Sequence, residues 1–274
     1  MTISASGPDR VNAPRKRLLI RPGAIGDFIV SLPALQHLKA AYTEVWCASQ
    51  NVALARFADR ALSIHSAGLN RIGVLAADDV FHHLRSFDEI VSWYGTANEE
   101  FREAVRGLPF RFFAAVPPAT TRQNATEFFC AQVGAPDTLP RIDTGIEPRE
   151  GFVILHPFAS SPTKRWPLEH YRRLAEMLGE VSWCAGPGEV LDNAVRLENL
   201  FELARWIARA RAYVGNDSGI THLAAAVGTP VVALFGPTDP VIWSPRGPQV
   251  RVVSGTSLPS ISPKVVFDVL ASLV

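Results

Sequence analysis

Val214-Gly-Asn-Asp-Ser-Gly-Ile-Thr-His222 is the stretch of this 274-residue chain that decides its fold. The apolar run before it stops at Gly215, and a helical pattern begins at Ile220, which predicts a strand, a tight turn and a helix N-terminus. Asp217 and Ser218 are favoured N-cap residues for that helix. The unpaired N–H groups at the helix start suit an anion such as a diphosphate. A capped helix of an ordinary α/β core explains the turn alone equally well.

Three further residues of this stretch favour a ligand-binding site over an ordinary capped helix. Gly215 and Gly219 predict a sharp turn and a close approach of the backbone to a ligand. His222 lies one turn into the predicted helix, on the face that looks towards whatever the turn binds. A buried structural histidine remains the alternative for that position.

The rest of the chain alternates short apolar runs with helical patterns. This alternation predicts parallel sheets covered by helices on both faces, which is an α/β fold. The predicted strands are 17–21, 44–47, 89–93, 111–115, 152–156, 181–185, 212–214, 231–235 and 249–253. The predicted helices are 26–41, 97–106, 121–133, 168–178, 200–210, 218–227 and 263–273.

A break in composition divides the chain in two. Residues 134–151 contain three prolines and three glycines and have no clear hydrophobic period, which is typical of an interdomain linker. The prediction is a disordered tail at 1–16, an N-terminal domain at 17–140, a linker at 141–150 and a C-terminal domain at 151–274. The last helix is predicted to pack back onto the N-terminal domain. Two such domains leave a cleft between the carboxyl ends of their strands.

Composition excludes several classes of protein. Hydrophobic residues make up 47% of the chain and charged residues 19%, which favours a packed core over disorder. The net charge of +1 provides no field that would attract nucleic acid. The three cysteines (Cys47, Cys130 and Cys184) are far apart, so they are expected to be small buried hydrophobes in a reducing compartment. No signal-peptide core or membrane span is visible, so a cytoplasmic location is expected.

The first predicted strand is followed by Arg21-Pro-Gly-Ala-Ile-Gly-Asp27. Gly23 and Gly26 form a tight turn, and Asp27 sits at the start of a helix. The spacing fits neither a dinucleotide fingerprint nor a P-loop. Asp27 is either a helix-capping carboxylate or a general base that faces the cleft.

The second half opens with His156-Pro-Phe-Ala-Ser-Ser-Pro-Thr-Lys-Arg-Trp-Pro167, again between a strand and a helix. Ser160, Ser161 and Thr163 provide hydroxyl donors, and Lys164 provides a positive charge. Such a loop can hold a phosphate and neutralise the charge that develops on it.

Two more turns follow predicted strands. Glu189, in Cys184-Ala-Gly-Pro-Gly-Glu189, can accept hydrogen bonds from ribose hydroxyls, or can simply be a first-turn glutamate favoured by the helix dipole. Gly236 and Pro237 lie in the turn after the strand at 231–235 and are expected near one side of the pocket.

Taken together, these blocks resemble glycosyltransferase family 9, the ADP-heptose:lipopolysaccharide heptosyltransferases and their relatives. The resemblance rests on four blocks in the family's order, which are Gly26-Asp27 with Ser31-Leu-Pro-Ala-Leu35, then Lys164-Arg-Trp-Pro167, then Gly215-Asn-Asp-Ser-Gly219 with His222, then Phe235-Gly-Pro-Thr-Asp-Pro240. They cover most of the chain from Arg17 to about Gly247.

The resemblance implies a GT-B fold, with two Rossmann-like domains and the donor held mainly by the C-terminal one. It implies inverting transfer from a nucleoside-diphosphate sugar, an ADP-heptose-like substrate, without a metal or other cofactor. Asp27 would be the base, Lys164 with Ser160 and Ser161 would stabilise the donor phosphates, and the diphosphate would lie at Ser218, Gly219 and Thr221. Asp217 and His222 match the family, and Glu189 matches its ribose-binding carboxylate loosely.

The residues themselves agree with metal independence. The chain has no D-x-D motif and no His/Asp cluster at ligand spacing, so a lysine and a helix N-terminus are the available substitutes for a cation. The region 181–200 is shorter than the family pattern.

The acceptor implied by the resemblance is a glycolipid or another surface glycan, with weak peripheral contact to the inner face of the membrane. Basic residues that could recognise it are scattered over the N-terminal half, namely Arg56, Arg60, Arg71, Arg85 and Arg122. The sequence identifies no protein partner. A catalytically reduced nucleotide-sugar-binding protein and a nucleotide-sugar epimerase or hydrolase on the same scaffold stay open as alternatives.

Overall fold

The computed structural model describes residues 15–72, 78–146 and 151–274. Its strands form two five-stranded sheets in which the neighbouring strands are parallel, which confirms the predicted α/β fold with two Rossmann-like sheets. The predicted tail, up to residue 14, lies outside the described residues, and so does the linker segment 147–150. The two sheets fall on either side of the predicted linker, and the domain boundaries themselves stay a prediction.

The first sheet contains β1 (Lys16–Arg21), β2 (Tyr42–Cys47), β3 (Arg60–Ser63), β4 (Glu89–Ser92) and β5 (Phe110–Phe112). Its strand order is β3-β2-β1-β4-β5, so the chain winds outwards from β1 first in one direction and then in the other. The order reverses between β1 and β4. In open sheets of this kind, ligands bind outside the carboxyl ends of the strands at such a reversal. The turn that carries Asp27 follows β1 and lies at this place.

The second sheet contains β6 (Val153–His156), β7 (Val181–Trp183), β8 (Ala212–Asn216), β9 (Val231–Phe235) and β10 (Val250–Ser254). Its order is β10-β9-β8-β6-β7, with the reversal between β6 and β8. The loop after β6 carries Lys164, and the turn after β8 carries Asp217 and Ser218. Topology therefore brings these two motifs to the same crevice.

The helices cover both faces of the sheets. They are α1 (Ile25–His37), α2 (Asp78–Leu84), α3 (Glu99–Ala104), α4 (Ala125–Val133), α5 (Leu168–Leu178), α6 (Leu200–Arg209), α7 (Gly219–Ala226), α8 (Pro240–Trp243) and α9 (Pro263–Ala271). Short 3₁₀ turns occur at Ser49–Leu54, Leu69–Arg71, Pro162–Lys164 and Leu258–Ser260. The predicted helices are present with shifts of a few residues at their ends.

Three elements were not predicted, namely β3, α2 and α8. β3 is only four residues long and its residues are exposed or half-buried, so it has no apolar run that a sequence pattern could detect. α8 has four residues and is set by a local cap, because the side chain of Asp239 accepts a hydrogen bond from the N–H of Val241. α2 is a single short amphipathic segment of seven residues.

Helix α1 is the central element of the molecule. Its residues from Phe28 to Leu35 are all buried, because the helix packs against α4 and α7 and shares an apolar cluster with the first sheet. A helix that is apolar on nearly all sides must be covered on nearly all sides. One apolar cluster accordingly runs from Leu19 and Val91 of the first sheet through α1 to Leu223 and Ala233 of the second half. The two halves therefore share a core.

The last helix, α9, belongs to the second half of the molecule. The last helix was predicted to pack onto the N-terminal domain, and this is corrected, because α9 packs against α5 and β9 of the second half. Its buried residues Val266 and Leu270 belong to an apolar cluster on the outer face of the second sheet. Cys47, Cys130 and Cys184 are buried and unpaired with one another, as expected. Within the described ranges, no helix is long and apolar enough to cross a bilayer.

Candidate active site

The site is built on the turn between β8 and α7. Ser218 is the N-cap of α7, and its Oγ accepts a hydrogen bond from the N–H of Thr221 at 3.4 Å, which confirms the predicted cap. Asp217 is buried, and its Oδ2 lies 2.7 Å from Nζ of Lys164. Lys164 is half-buried, with 31% of its side chain exposed. The predicted phosphate-binding lysine is thus placed beside the helix N-terminus by a carboxylate of the same turn.

The loop after β6 is bonded to β8 at a second point. The side-chain oxygen of Asn216 accepts a hydrogen bond from the N–H of Trp166 at 2.9 Å, and the Trp166 indole N–H donates to the carbonyl of Ile261. The guanidinium of Arg165 donates twice to the carbonyl of Ala159, at 2.9 and 2.8 Å, which closes the loop on itself. The loop after β6 and the end of β8 are about fifty residues apart in sequence, and they are held together by the contacts Trp166–Asn216 and Lys164–Asp217.

The hydroxyl residues of this loop are accessible. Ser160 and Thr163 are exposed, and Ser161 is half-buried. Ser161 caps the 3₁₀ turn Pro162–Lys164, and its hydroxyl lies 2.7 Å from that of Thr163. The structure thus brings the three predicted hydroxyls to the loop that carries Lys164.

Asp27 lies in the first turn of α1. Its carboxylate accepts a hydrogen bond from the N–H of Ala24 at 2.9 Å, so the capping role is present. The side chain remains partly exposed, so capping does not remove it from solvent. Gly23 has a φ of +110°, and a methyl group there would lie 2.8 Å from Asp27, so glycine is required at this position.

Arg21 lies beneath Asp27 and was not predicted as a functional residue. It is almost completely buried, with 1% exposed, and donates hydrogen bonds to the carbonyl of Asp27 at 2.9 Å and to the hydroxyl of Ser31 at 3.0 Å. Burial lowers the pKa of Arg21 to about 10, against the opposing effect of the Asp27 carboxylate. The guanidinium therefore remains charged at neutral pH and fixes the backbone that carries Asp27.

The N-termini of α1 and α7 touch each other. A methyl group on Gly219 would lie 2.7 Å from Cβ of Ile25 and 2.9 Å from the backbone nitrogen of Gly26. A methyl group on Gly26 would lie 3.4 Å from Cδ2 of His222, which is a tight but possible contact. This contact joins the turn after β1 to the turn after β8.

The two glycines of the turn give room to neighbouring groups of the protein. Gly215 and Gly219 were predicted to allow a sharp turn and the approach of a ligand, which stays a prediction, and neither has a positive φ. Gly219 gives room to α1. Gly215 gives room to a buried phenol, because a methyl group there would lie 2.6 Å from the hydroxyl oxygen of Tyr213.

His222 is buried between groups from both halves, with 6% exposed. Burial lowers its pKa to about 4, while the carboxylates of Asp217 and Asp27 act in the opposite direction and Lys164 lowers it further. The imidazole is therefore neutral at neutral pH. The structure thus brings His222 together with the predicted base Asp27 and the predicted phosphate ligand Lys164.

A buried polar chain runs beneath this crevice and was not predicted. The hydroxyl of Tyr213 lies 3.0 Å from Nδ1 of His156 and 3.3 Å from Oγ1 of Thr221, and Oγ1 of Thr221 lies 3.1 Å from the hydroxyl of Ser218. At the other end, Nε2 of His156 lies 3.7 Å from Oε2 of Glu189, which is an electrostatic contact longer than a normal hydrogen bond. We call this set the Glu189–Ser218 chain.

Burial keeps Tyr213 neutral, whereas hydrogen bonds and nearby positive charge keep Glu189 ionised. Burial raises the pKa of Tyr213 far above its usual value, so the phenol stays neutral. Burial also raises the pKa of Glu189, but His156, the N–H of Gly186 and the charge of Arg165 lower it more, and the net pKa lies below the usual range. Glu189 is therefore ionised at neutral pH.

Thr221, Gly236 and Pro237 lie at the same edge of the second sheet. Thr221 was predicted to contact the diphosphate, and its hydroxyl is buried and donates to the carbonyl of Asn216, so its contact with a ligand stays a prediction. Gly236 and Pro237 follow β9 at the same edge of the sheet, as predicted.

Most of the basic residues named for the acceptor contact a side chain of the protein. Arg56 stacks at 4.1 Å on Phe201 of the second half, and Arg85 lies over Phe81. Arg60 and Arg71 each contact an acidic side chain, Glu44 and Asp79 respectively. Arg122 is exposed. Four of these five arginines are thus engaged by a side chain of the protein itself, and their role towards an acceptor stays a prediction.

In the part of the chain that the structure describes, no group of three or more histidine, cysteine, aspartate or glutamate side chains could hold a metal ion. The predicted metal independence is a statement about the reaction, and it stays a prediction.

The family comparison agrees with the motifs. Residues 196–265 match the family model described as glycosyltransferase family 9 (heptosyltransferase), and this confirms the resemblance inferred from the sequence. This segment begins after Glu189 and the Lys164 loop and includes the turn between β8 and α7.

Among characterised relatives, the lipooligosaccharide heptosyltransferase 2 of Haemophilus influenzae is 38% identical over 113 residues, which is 34% of this chain and 33% of the relative. The match thus spans about a third of the length of that relative.

Two solved structures are similar over most of the chain. The ADP-heptose lipopolysaccharide heptosyltransferase II of Escherichia coli has a TM-score of 0.74 at 21% identity and covers 94% of this chain and 98% of its own. The heptosyltransferase TibC of enterotoxigenic E. coli, described as iron-containing and dodecameric, has a TM-score of 0.62 in its complex with ADP-D-β-D-heptose. That likeness has 16% identity over 94% of this chain and 76% of TibC. At these identities the likeness establishes the GT-B fold.

Proposed function

We propose that this relative of glycosyltransferase family 9 transfers a heptose-like sugar from a nucleoside-diphosphate donor to a lipopolysaccharide-type acceptor. The observation that carries the proposal is the contact between α1 and α7. It places Asp27 of the first half and Lys164, Ser218 and His222 of the second half at one crevice. A base for the acceptor and an anion site for the leaving group are what a displacement at a sugar carbon needs.

The leaving group is accommodated by the second half. The helix N-terminus at Ser218 and Gly219 and the ammonium group of Lys164 supply positive potential where a diphosphate would gain negative charge. In the structure Lys164 is paired with Asp217, at 2.7 Å. This pairing keeps the lysine close to the helix start and leaves its other two N–H bonds for phosphate oxygens.

The first half supplies the base. Asp27 takes the proton of the acceptor hydroxyl, whose oxygen forms a bond to the anomeric carbon of the sugar. The bond from that carbon to the diphosphate oxygen breaks, and its electron pair leaves with the nucleoside diphosphate. One displacement of this kind inverts the anomeric centre. Arg21 fixes the backbone of Asp27 from below, through the hydrogen bond to its carbonyl.

We further propose that the donor is an ADP-sugar and that no metal takes part. Two similar structures have ADP-heptose in their names, which supports adenine as the nucleobase of the donor and a heptose as its sugar. The description of TibC as iron-containing is a reason to test the metal directly. The lysine and the helix N-terminus are the groups that would replace a metal ion here.

The acceptor is proposed to be a lipopolysaccharide-type glycolipid or another surface glycan. The name of the Haemophilus influenzae relative supports this class. A glycolipid acceptor would place the reaction at the inner face of the cytoplasmic membrane, reached by weak peripheral contact.

The test is a transfer assay with purified chain, ADP-heptose and a heptose-deficient lipopolysaccharide core, with and without excess EDTA. We expect ADP to be released only when the acceptor is present, and this release should persist in EDTA. The glycosylated product should have the inverted anomeric configuration. Loss of activity in EDTA with rescue by a divalent metal would refute metal independence alone.

The acceptor-free reaction separates the alternatives. Release of free or altered sugar without acceptor would favour a hydrolase or an epimerase. Tight donor binding without turnover, on every acceptor offered, would favour a nucleotide-sugar-binding protein. Failure of ADP and of other nucleoside diphosphates to bind would overturn the proposal as a whole.

A further inference from the structure

The Glu189–Ser218 chain connects two places that the proposed donor would touch. Glu189 lies in the loop after β7, and Ser218 caps α7 after β8, on the other side of β6. Between them lie two side chains that are closed off from solvent, His156 with 4% exposed and Tyr213 with none. Buried polar side chains of this size are costly unless each finds a partner, so their presence at the ligand edge of the sheet calls for a reason.

We propose that His156 and Tyr213 are positioning residues that aim Glu189 at the ribose hydroxyls of the donor, so that the site selects ribonucleotides. This inference rests on the proposed function, because it concerns the nucleotide of the same donor. Neither residue touches the ligand. They act through Glu189 at one end and through Thr221 and Ser218 at the other.

The geometry of Glu189 shows how the aim is set. Its Oε2 accepts a hydrogen bond from the N–H of Gly186 at 2.6 Å and faces Nε2 of His156 at 3.7 Å. Within the described part of the chain both of these contacts use Oε2, so Oε1 is the oxygen that faces a ligand in this proposal. Glu189 is 26% exposed, so a ligand can reach it. Two hydroxyl groups on neighbouring carbons of a ribose match one carboxylate well.

The orientation of His156 is set in turn by Tyr213. The phenol can donate its hydrogen to Nδ1 at 3.0 Å, and in that arrangement the ring carries its hydrogen on Nε2, facing Glu189. A carboxylate faced by an N–H is attracted to it, whereas one faced by a lone pair is repelled. Gly215 makes this arrangement possible, because any side chain there would collide with the phenol, at 2.6 Å.

The experiment compares the binding of ADP and of 2′,3′-dideoxy-ADP by calorimetry, and the measured quantity is the ratio of the two dissociation constants. We expect the wild-type chain to prefer ADP by about tenfold, which corresponds to one hydrogen bond to a charged group. Glu189→Ala should bring the ratio close to one.

Two substitutions of His156 separate its two contacts. His156→Asn keeps a partner for Tyr213 but is too short to reach Glu189, so the ratio should fall to near that of Glu189→Ala. His156→Gln places its amide near the position of Nε2, so the ratio should stay within about threefold of the wild type. Adding Glu189→Ala to His156→Asn should produce little further loss of the ratio, because both changes remove the same interaction.

Tyr213→Phe removes one buried oxygen and should lower the ratio. Its matched control is Tyr171→Phe, because Tyr171 is also fully buried and its hydroxyl donates to the backbone carbonyl of His156 and not to the imidazole. The control should leave the ratio unchanged even if it lowers the melting temperature. If His156→Asn does not fold, the pair of tyrosine variants decides the question.

The outcomes distinguish this inference from the proposed function. If His156→Asn and Tyr213→Phe weaken the binding of both ligands equally and keep the wild-type ratio, the Glu189–Ser218 chain is only structural. A wild-type chain that binds ADP and its dideoxy analogue equally would overturn the inference and leave the proposed function standing. A wild-type chain that binds no nucleoside diphosphate would overturn both.

Discussion

The contact between α1 and α7 gives the most direct prediction. Gly219→Ala adds one methyl group that would lie 2.7 Å from Cβ of Ile25 and 2.9 Å from the backbone nitrogen of Gly26. Carbon atoms in good contact are about 3.5–4.0 Å apart, so the two helix N-termini must separate by about 1 Å. The φ of Gly219 is not in the left-handed region, so the effect comes from this contact and not from backbone strain.

The expected effects follow from that displacement. Overpacking of this size costs about 1–3 kcal/mol, and each kcal/mol lowers the melting temperature of a chain of this length by about 2–4 °C. Asp27 follows Ile25 by two residues, so it moves away from the donor with the start of α1. A misplacement of about 1 Å can cost about 10²-fold in rate. We therefore expect turnover to fall by that order, with ADP affinity within about threefold of the wild type.

The matched control is Gly26→Ala, which adds the same methyl group at the same interface. Its nearest neighbours would be Cδ2 of His222 at 3.4 Å and Cα of Gly219 at 3.6 Å, so a shift of a few tenths of an ångström is enough. Thermal unfolding and transfer assays on the two variants provide the measurement. Wild-type stability and turnover in Gly219→Ala would refute the reasoning, because α1 and α7 could not then be in contact in the active protein.

Three more predictions concern single side chains. Asp27→Asn keeps an oxygen for the cap and should lower transfer by about 10²–10⁴-fold while ADP affinity and melting temperature are retained, and normal turnover would reduce Asp27 to a cap. Lys164→Ala should weaken ADP binding by about tenfold or more, measured by calorimetry, whereas the exposed Lys39→Ala should not; equal affinities would remove Lys164 from the donor site. The third prediction concerns pH. The pKa of His222 is lowered by burial to about 4 from 6.5, so below pH 6.5 the unfolded chain binds a proton that the folded chain does not. Stability should therefore fall by up to about 3 kcal/mol as the pH falls from 6.5 to 4. Denaturant titrations should show this loss reduced in His222→Asn and kept in the exposed control His82→Gln, and an unchanged pH dependence in His222→Asn would contradict it.

Local features of the site could be predicted from the sequence because their interactions are local. The cap of α7 is an example, since Ser218 bonds an N–H three residues away in the chain. The alternation of apolar runs and helical patterns was enough to predict two parallel sheets. In such sheets the turns after the strands at a reversal must meet, so the meeting of the Lys164 loop with Asp217 was also within reach of the sequence.

The partners within the site depend on side chains that are distant in sequence. Lys164 and Asp217 are 53 residues apart, and so no local pattern relates their charges. The Glu189–Ser218 chain was missed because His156 and Tyr213 look like ordinary residues of buried strands. A signal was present, since a histidine and a tyrosine in otherwise apolar strands need buried polar partners.

The sequence by itself determined the fold class, the order of the motifs and the ends of the strands at which they lie, because hydrophobic period and capping act over a few residues. Only the tertiary structure decided what each residue faces. It showed that two glycines of the turn give room to Tyr213 and to α1, and it placed Asp27 near His222. The physical reason is that the distances between packed helices are set by side chains that are far apart in the chain. A change of one ångström in such a distance alters which groups a residue contacts.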